Sequence, residues 1–324
     1  MKKLLLVLYT ILVLLIGSTF TIAASMNGFI LDGALIPEEE ILSGGPTKDG
    51  IPSLDYPKFV KAAQAHFLRD EDQVLALKHN GIAKAYPLRI LNWHEIVNDR
   101  FGDEGIVITY CPLCGSGTAS EAKVAGKFLQ FGVSGLLYNN DVLMYDRQTQ
   151  SLWSQILSQA VAGPMKGTLL PAVAVTHTTW ADWRNRHPDT LVLDTNTGFN
   201  RNYQANPYDG YEKESSIMFP VRFRAEGYHP KEQVLGLILD EKAKAYPFVE
   251  LAKGSGEVSD VLAGKNIRIR YSHNHKSAEF FDSEGNALPG ITLFWFAWYA
   301  FHPKTEIYRV KCMRPTLPSI IFLF

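Results

Sequence analysis

Two stretches of this 324-residue chain repeat one another, and that repetition restricts its architecture more than any other feature. Gln73-Val74-Leu75-Ala76-Leu77 followed by Ala83-Lys84-Ala85-Tyr86-Pro87 returns as Gln233-Val234-Leu235-Gly236-Leu237 followed by Ala243-Lys244-Ala245-Tyr246-Pro247. The offset is 160, and ten of the nineteen positions from Gln73 to Leu91 are identical. Trp180-x-x-Trp183-x-x-x-His187-Pro188-x-Thr190 then returns as Trp295-x-x-Trp298-x-x-x-His302-Pro303-x-Thr305, at an offset of 115. Order is preserved, so the chain reads as a tandem duplication whose second copy is 45 residues shorter between its landmarks. The expected modules are 53–198 and 212–308, with a boundary in Thr195–Tyr211, where Asn, Gly and Tyr replace aliphatic residues.

Local pattern favours short strands punctuated by Gly, Asn and Asp, hence an α+β, predominantly β architecture of two related modules. Val74–Lys78 and Ile82–Tyr86 flank His79-Asn80-Gly81, and Asn-Gly accepts the positive φ of a tight hairpin. Pro87 suits the first residue of a helix running to about Val97, which places Ile90, Leu91, His94 and Val97 on one inward face. Ile106–Tyr110, Thr118–Val124, Phe128–Val133, Leu143–Asp146 and Val192–Asp194 are further strand candidates. Thr178 and Thr179 can cap a helical turn that His187-Pro188 stops.

Duplication separates scaffold, present in both copies, from specialisation, present in one. Tyr110-Cys111-Pro112-Leu113-Cys114-Gly115-Ser116 carries two of the three cysteines, and with Tyr110 opposite Tyr271 the cysteines face Ser272 and His275. At the helix offset His94 and Glu95 face Gly254 and Ser255, while the block from Phe131 to Arg147 has no counterpart. Distinctive chemistry is therefore expected in the first copy.

A Cys-x-x-Cys pair can form a disulfide, exchange with another thiol, or supply half of a tetrahedral metal site. An inward histidine seventeen residues earlier makes Cys111, Cys114 and His94 the leading ligand set, for zinc, copper or iron. Glu95, Asp141, Asp146, Arg147, His273 and His275 are accessory candidates; the last two could complete the site only if the copies face each other. The bland readings are a structural disulfide and a histidine satisfied by a backbone carbonyl. Thiol exchange requires an exposed Cys111, and the Gly115-Ser116-Gly117-Thr118 turn lacks the helix N-terminus that activates such thiols. Ser134–Arg147, dense in Gly, Asn and Asp, reads either as a binding loop or as a hairpin with Arg147 paired to a carboxylate. Ser151-Leu152-Trp153-Ser154-Gln155 lacks the Gly-x-Ser-x-Gly elbow of a hydrolase.

A formal net charge of −1, without a basic patch, argues against nucleic acid or an anionic membrane surface as partner. An unidentified small molecule or protein remains the expected partner. Lys2 and Lys3 ahead of the apolar run 4–16, with small residues to Ser25, read as an export signal or an uncleaved anchor over 1–25. Export matters because neighbouring thiols outside the cytoplasm oxidise unless a metal or reductant holds them. Cys312 is left over.

The chain resembles the prokaryotic domain of unknown function 3179 family. The resemblance is carried by Ala83-Lys84-Ala85-Tyr86-Pro87, Trp93-His94-Glu95-Ile96-Val97-Asn98-Asp99, Tyr110-Cys111-Pro112-Leu113-Cys114-Gly115, Gly132–Asp146, Ser151-Leu152-Trp153-Ser154-Gln155 and Trp295-Phe296-Ala297-Trp298 with His302-Pro303. It spans about Ser53 to Tyr308, and the tail Arg309–Phe324 departs from it. The resemblance implies an exported or membrane-anchored protein of unassigned activity. With the residues, it points to an extracytoplasmic metal-binding or metal-dependent redox protein; the alternatives are a disulfide-bearing binding module and a thiol-exchange protein.

Overall fold

The computed structural model describes residues 25–124 and 126–310. The expected export segment, including 4–16, and Cys312 lie outside them, apart from Ser25. The chain is 42% strand and 12% helix, in a five-bladed, propeller-like arrangement of four- and five-stranded sheets. Among the described residues no helix is long and apolar enough to cross a membrane.

The first sheet runs Thr176–Thr179, Gln73–His79, Ile82–Pro87, Leu191–Leu193, Phe59–Lys61, and the second Ala172–Val173, Ser116–Glu121, Glu104–Cys111, Ile96–Phe101. Sheets four and five follow the same plan. Sheet four runs Ile291–Phe294, Gln233–Leu239, Lys242–Pro247, Glu306–Ile307, and sheet five orders Glu257–Leu262, Lys265–Ser272, Ser277–Phe281, Ala287–Leu288. Registers coincide as well. Val74 faces Pro87 as Val234 faces Pro247, Thr179 faces Gln73 as Phe294 faces Gln233, and Leu191 lies parallel to Lys84 as Glu306 does to Lys244. Trp183 Nε1 donates to Thr190 Oγ1 at 2.9 Å, and Trp298 Nε1 to Thr305 Oγ1 at 2.8 Å, so the repeated Trp, Pro and Thr close equivalent corners.

Sheet three has no counterpart. It comprises Gln159–Ala162, Leu152–Ser154, Asp141–Asp146, Phe131–Tyr138 and Ile41–Ser43. The Ser134–Arg147 block is thus mainly hairpin, with a bulge at Ser134-Gly135 and a two-residue turn at Asn139-Asn140, both at positive φ as a type I′ turn requires. From Ser134 to Asp146 its side chains are buried, so the polar residues of this stretch act inside the molecule and not as an open loop, and only Arg147 is half-exposed.

Element boundaries differ from the sequence reading most at one helix and two strands; the strand expected over Thr118–Val124 divides into Ser116–Glu121 and Lys123–Val124. The helix after Pro87 covers Leu88–His94 and stops there, because Glu95 takes φ +58° and Ile96 begins a strand. The strand expected over Phe128–Val133 divides into Lys127–Phe128 and Phe131–Tyr138.

Candidate metal site

The cysteine loop is a tight turn between the Glu104–Cys111 and Ser116–Glu121 strands. Cys111 pairs with Ser116, Cys114 N–H donates to Cys111 O at 3.2 Å, and Pro112 supplies the preset φ of the turn's second position. Gly115 closes it at φ +60°, with the Phe294 ring 2.9 Å from where a Cβ would sit. Phe294 N–H donates to Cys114 O at 2.8 Å, tying the loop to sheet four. Both thiols turn toward one carbonyl, Asn140 O, at 3.3 Å from Cys114 Sγ and 3.8 Å from Cys111 Sγ.

The Asn139-Asn140 turn brings sheet three onto this loop. Asn140 Nδ2 donates to Leu113 O at 3.2 Å, and its Oδ1 accepts from Phe219 N at 2.9 Å. The next residue, Asp141, completes a buried group: one ligand atom each from Cys111, Cys114 and Asp141 lie within 4.8 Å of one another. Both cysteines are free thiols, 2% and 0% exposed. The structural disulfide is absent, and the exposed sulfur that thiol exchange needs is absent too.

A chain of buried polar groups ends on Asp141. Gln155 Nε2 donates to Thr109 Oγ1 at 2.9 Å and to Ser116 O at 3.1 Å, which fixes the amide's orientation. Gln155 Oε1 therefore accepts the single Ser116 hydroxyl proton at 2.6 Å. Ser116 Oγ lies 3.4 Å from Asp141 Oδ1 but has no second hydrogen to give it. Ile156 N–H reaches Oδ2 at 3.3 Å. Ser116 therefore turns a lone pair toward Asp141 Oδ1, and the carboxylate's other hydrogen bonds come from Val142 N–H and from the Cys111 thiol, whose proton a metal ion would displace.

Electrostatics agree. Burial raises Asp141 to about 7 and, with the Asp141 charge adding to it, raises Glu95 to about 8. Burial also pushes the Cys111 thiol up and the Cys114 thiol well up, and Asp141 adds to both. Neither Glu95 nor Asp141 forms an ion pair among the described residues. Four groups that could each become anionic share a dry volume without a cation, so they stay protonated or take up a positive ion.

Glu95 carries a second mark. Tyr110 N–H donates to Glu95 O at 2.8 Å, as Tyr271 N–H does to Gly256 O at 2.7 Å. The structure therefore matches Glu95 to Gly256, not Ser255, because one extra residue lies ahead of Gly256. Both positions have positive φ, +58° and +97°. Glycine adopts that conformation freely; a glutamate there is strained.

His94 does not join the group. It is buried as expected, but Nδ1 contacts Pro52 O at 2.8 Å and Nε2 contacts Tyr203 Oη at 2.6 Å, so both ring nitrogens are taken. The bland histidine reading is the one observed. Among the other candidates, Asp146 accepts from Thr149 N, Thr149 Oγ1 and Trp153 Nε1 and holds its own turn together. Arg147 pairs with Asp49 and Asp55. His273 is exposed, and His275 Nδ1 reaches Thr179 Oγ1 at 2.7 Å, bridging the halves away from the cysteines. Gln155, Ser116 and the Asn140 carbonyl were missed by sequence reasoning. Ser116 ends the cysteine stretch, Asn140 lies in the unrepeated block, and Gln155 ends the Ser151–Gln155 motif, and only those places pointed to them.

A family model described as "Protein of unknown function (DUF3179)" matches residues 48–305, and the chain belongs to that family. No curated protein matches, and no solved structure does.

Proposed function

We propose that this DUF3179 member is a metal-binding protein that holds one ion through Cys111 Sγ, Cys114 Sγ and an Asp141 carboxylate oxygen. The observation that carries the reading is the burial of these three donors within 4.8 Å of one another. Two thiolates and a carboxylate form a borderline donor set, which suits zinc better than the soft, carboxylate-poor sites of copper(I). Three protein donors leave a tetrahedral ion one position for an exogenous ligand, the pattern of reactive and not purely structural zinc sites. Glu95, strained and electrostatically coupled to Asp141 and Cys111, is the nearby buried carboxyl that can hold a proton.

The reading also accounts for free thiols under the expected export, since a bound metal keeps neighbouring cysteines from oxidising. We further infer that the matching sheet pairs arose by tandem duplication, with sheet three belonging to the first copy alone. The test is metal content of the purified protein and its variants. One ion per chain is expected, lost in Cys111→Ser, Cys114→Ser and Asp141→Asn and retained in His94→Ala. Equal metal content in wild type and the three ligand variants would refute the proposal.

A further inference from the structure

Beside the cysteine loop lies a cavity of about 590 Å³, the size of a small-molecule site, with Tyr110, Pro112 and Gly115 in its wall. One buried polar side chain in that wall has no partner: His177 is 93% buried and neither ring nitrogen makes a hydrogen bond. Buried polar groups are almost always satisfied, and each exception calls for an explanation. Sheet packing does not supply one here. His177 faces Leu75 in the register where Thr292 faces Leu235, so the scaffold position is filled by a threonine in the matching sheet. A half-turn about χ2 exchanges each ring nitrogen with a carbon, so either edge of His177 can present one to the cavity.

The remaining lining indicates the ligand's charge. Arg69, Arg89, Lys231 and Lys276 stand against Asp72 and Glu212. Asp72 pairs with Arg89 at 2.6 Å and with Arg69 at 3.7 Å, and Lys231, held by the Glu214 and Ser216 carbonyls with the Glu214 and Glu212 charges acting on it, lies over the Tyr211 ring, 3.5 Å from the centroid; the four cations of the lining outnumber its two carboxylates. Tyr110, Tyr208 and Phe294 add flat apolar wall.

We propose that this cavity binds a small organic oxyanion with a planar apolar body, its polar end hydrogen-bonded by His177. The proposal stands apart from the metal reading, because none of its residues is a proposed ligand of the ion. The experiment is calorimetric titration of the full chain with benzoate, phenyl phosphate and, as cationic control, benzylamine. Either anion should bind and benzylamine should not; which anion binds more tightly separates carboxylate from phosphate recognition. His177→Thr, copying the matching sheet, should weaken anion binding at least tenfold without lowering the melting temperature or the metal content, and Lys276→Gln should weaken it severalfold. If His177→Thr folds poorly, His177→Phe serves, since it keeps the ring volume. No binding of either anion, equal binding of benzylamine, or unchanged affinity in the histidine variants would overturn the proposal.

Discussion

The second and fifth sheets follow one path with different surroundings, and the difference locates the chemistry. Each carries on its first strand an aspartate that receives a lysine and a tyrosine from the neighbouring sheet: Lys84 Nζ to Asp99 at 2.8 Å with Tyr86 Oη on the same carboxylate, and Lys244 Nζ to Asp260 at 2.7 Å with Tyr246 Oη. Both turn back at equivalent points, Gly115 at φ +60° and Lys276 at φ +46°. In sheet five the Lys265–Ser272 strand alternates between exposed and buried, as a sheet with one wet face should. In sheet two the Glu104–Cys111 strand is buried from Ile106 onward, because sheet three packs its Asn139–Asp141 turn against the cysteine loop. A shared frame thus becomes a site where an unshared sheet covers it, and only there do two thiols replace Ser272 and His275.

The largest expected asymmetry lies in the frame itself. Asp99→Ala strands a lysine in the interior, where side-chain exposures are 9% and 6%, and should cost about 3–5 kcal/mol. Asp260→Ala acts on a wetter pair and should cost about 1–2 kcal/mol. Urea denaturation of both variants checks this, and equal losses would break the comparison.

Next is pH. Glu95 and Asp141 have folded values of about 8 and 7, above the ordinary carboxylate range near 4 of the unfolded chain. Stability from these groups is complete below about pH 4 and is lost as pH rises through 7 to 8, because the unfolded state then releases protons the folded state retains. Metal-free protein should lose on the order of 5 kcal/mol between pH 5 and 8 by this route, and added zinc should restore part of it at pH 8. A metal-free protein that grows more stable over that range would show that the site's carboxyls are not held protonated.

Exchanging the positive-φ residues sharpens the comparison further. Gly256→Glu should destabilise by about 1–2 kcal/mol, since its Cβ would lie 2.8 Å from Tyr271 O. Glu95→Gly should instead stabilise the metal-free protein by about 1 kcal/mol through strain relief, while weakening zinc retention. The smallest effect is expected at Lys276→Gly, within about 1 kcal/mol, as an αL residue at an exposed turn. Thermal melts of the three variants measure all of these shifts.

Much of the frame was legible because hairpin turns and strand pairs are local: Asn80-Gly81 marks its turn, and the nineteen-residue echo fixes equal registers. Asp141 was visible because the later echo has no match for its block. His94 shows the limit. A helical face indicates that a side chain points inward, not what it meets, and its partner Tyr203 lies 109 residues away in the segment that had read as a boundary. Glu95 lost its glycine counterpart because one inserted residue moves the offset from 160 to 161, which pattern matching does not detect without the Tyr110 and Tyr271 hydrogen bonds. Cys114 and Asp141 likewise meet only through a turn of sheet three.

X-ray absorption at the zinc edge of the metal-loaded protein tests the central claim most directly. Two sulfur neighbours at about 2.3 Å and oxygen neighbours at about 2.0–2.2 Å are expected, with no imidazole signature, and the sulfur shell should vanish in the Cys111→Ser, Cys114→Ser double variant. A spectrum without sulfur, or one with a histidine shell that disappears in His94→Ala, would contradict the account.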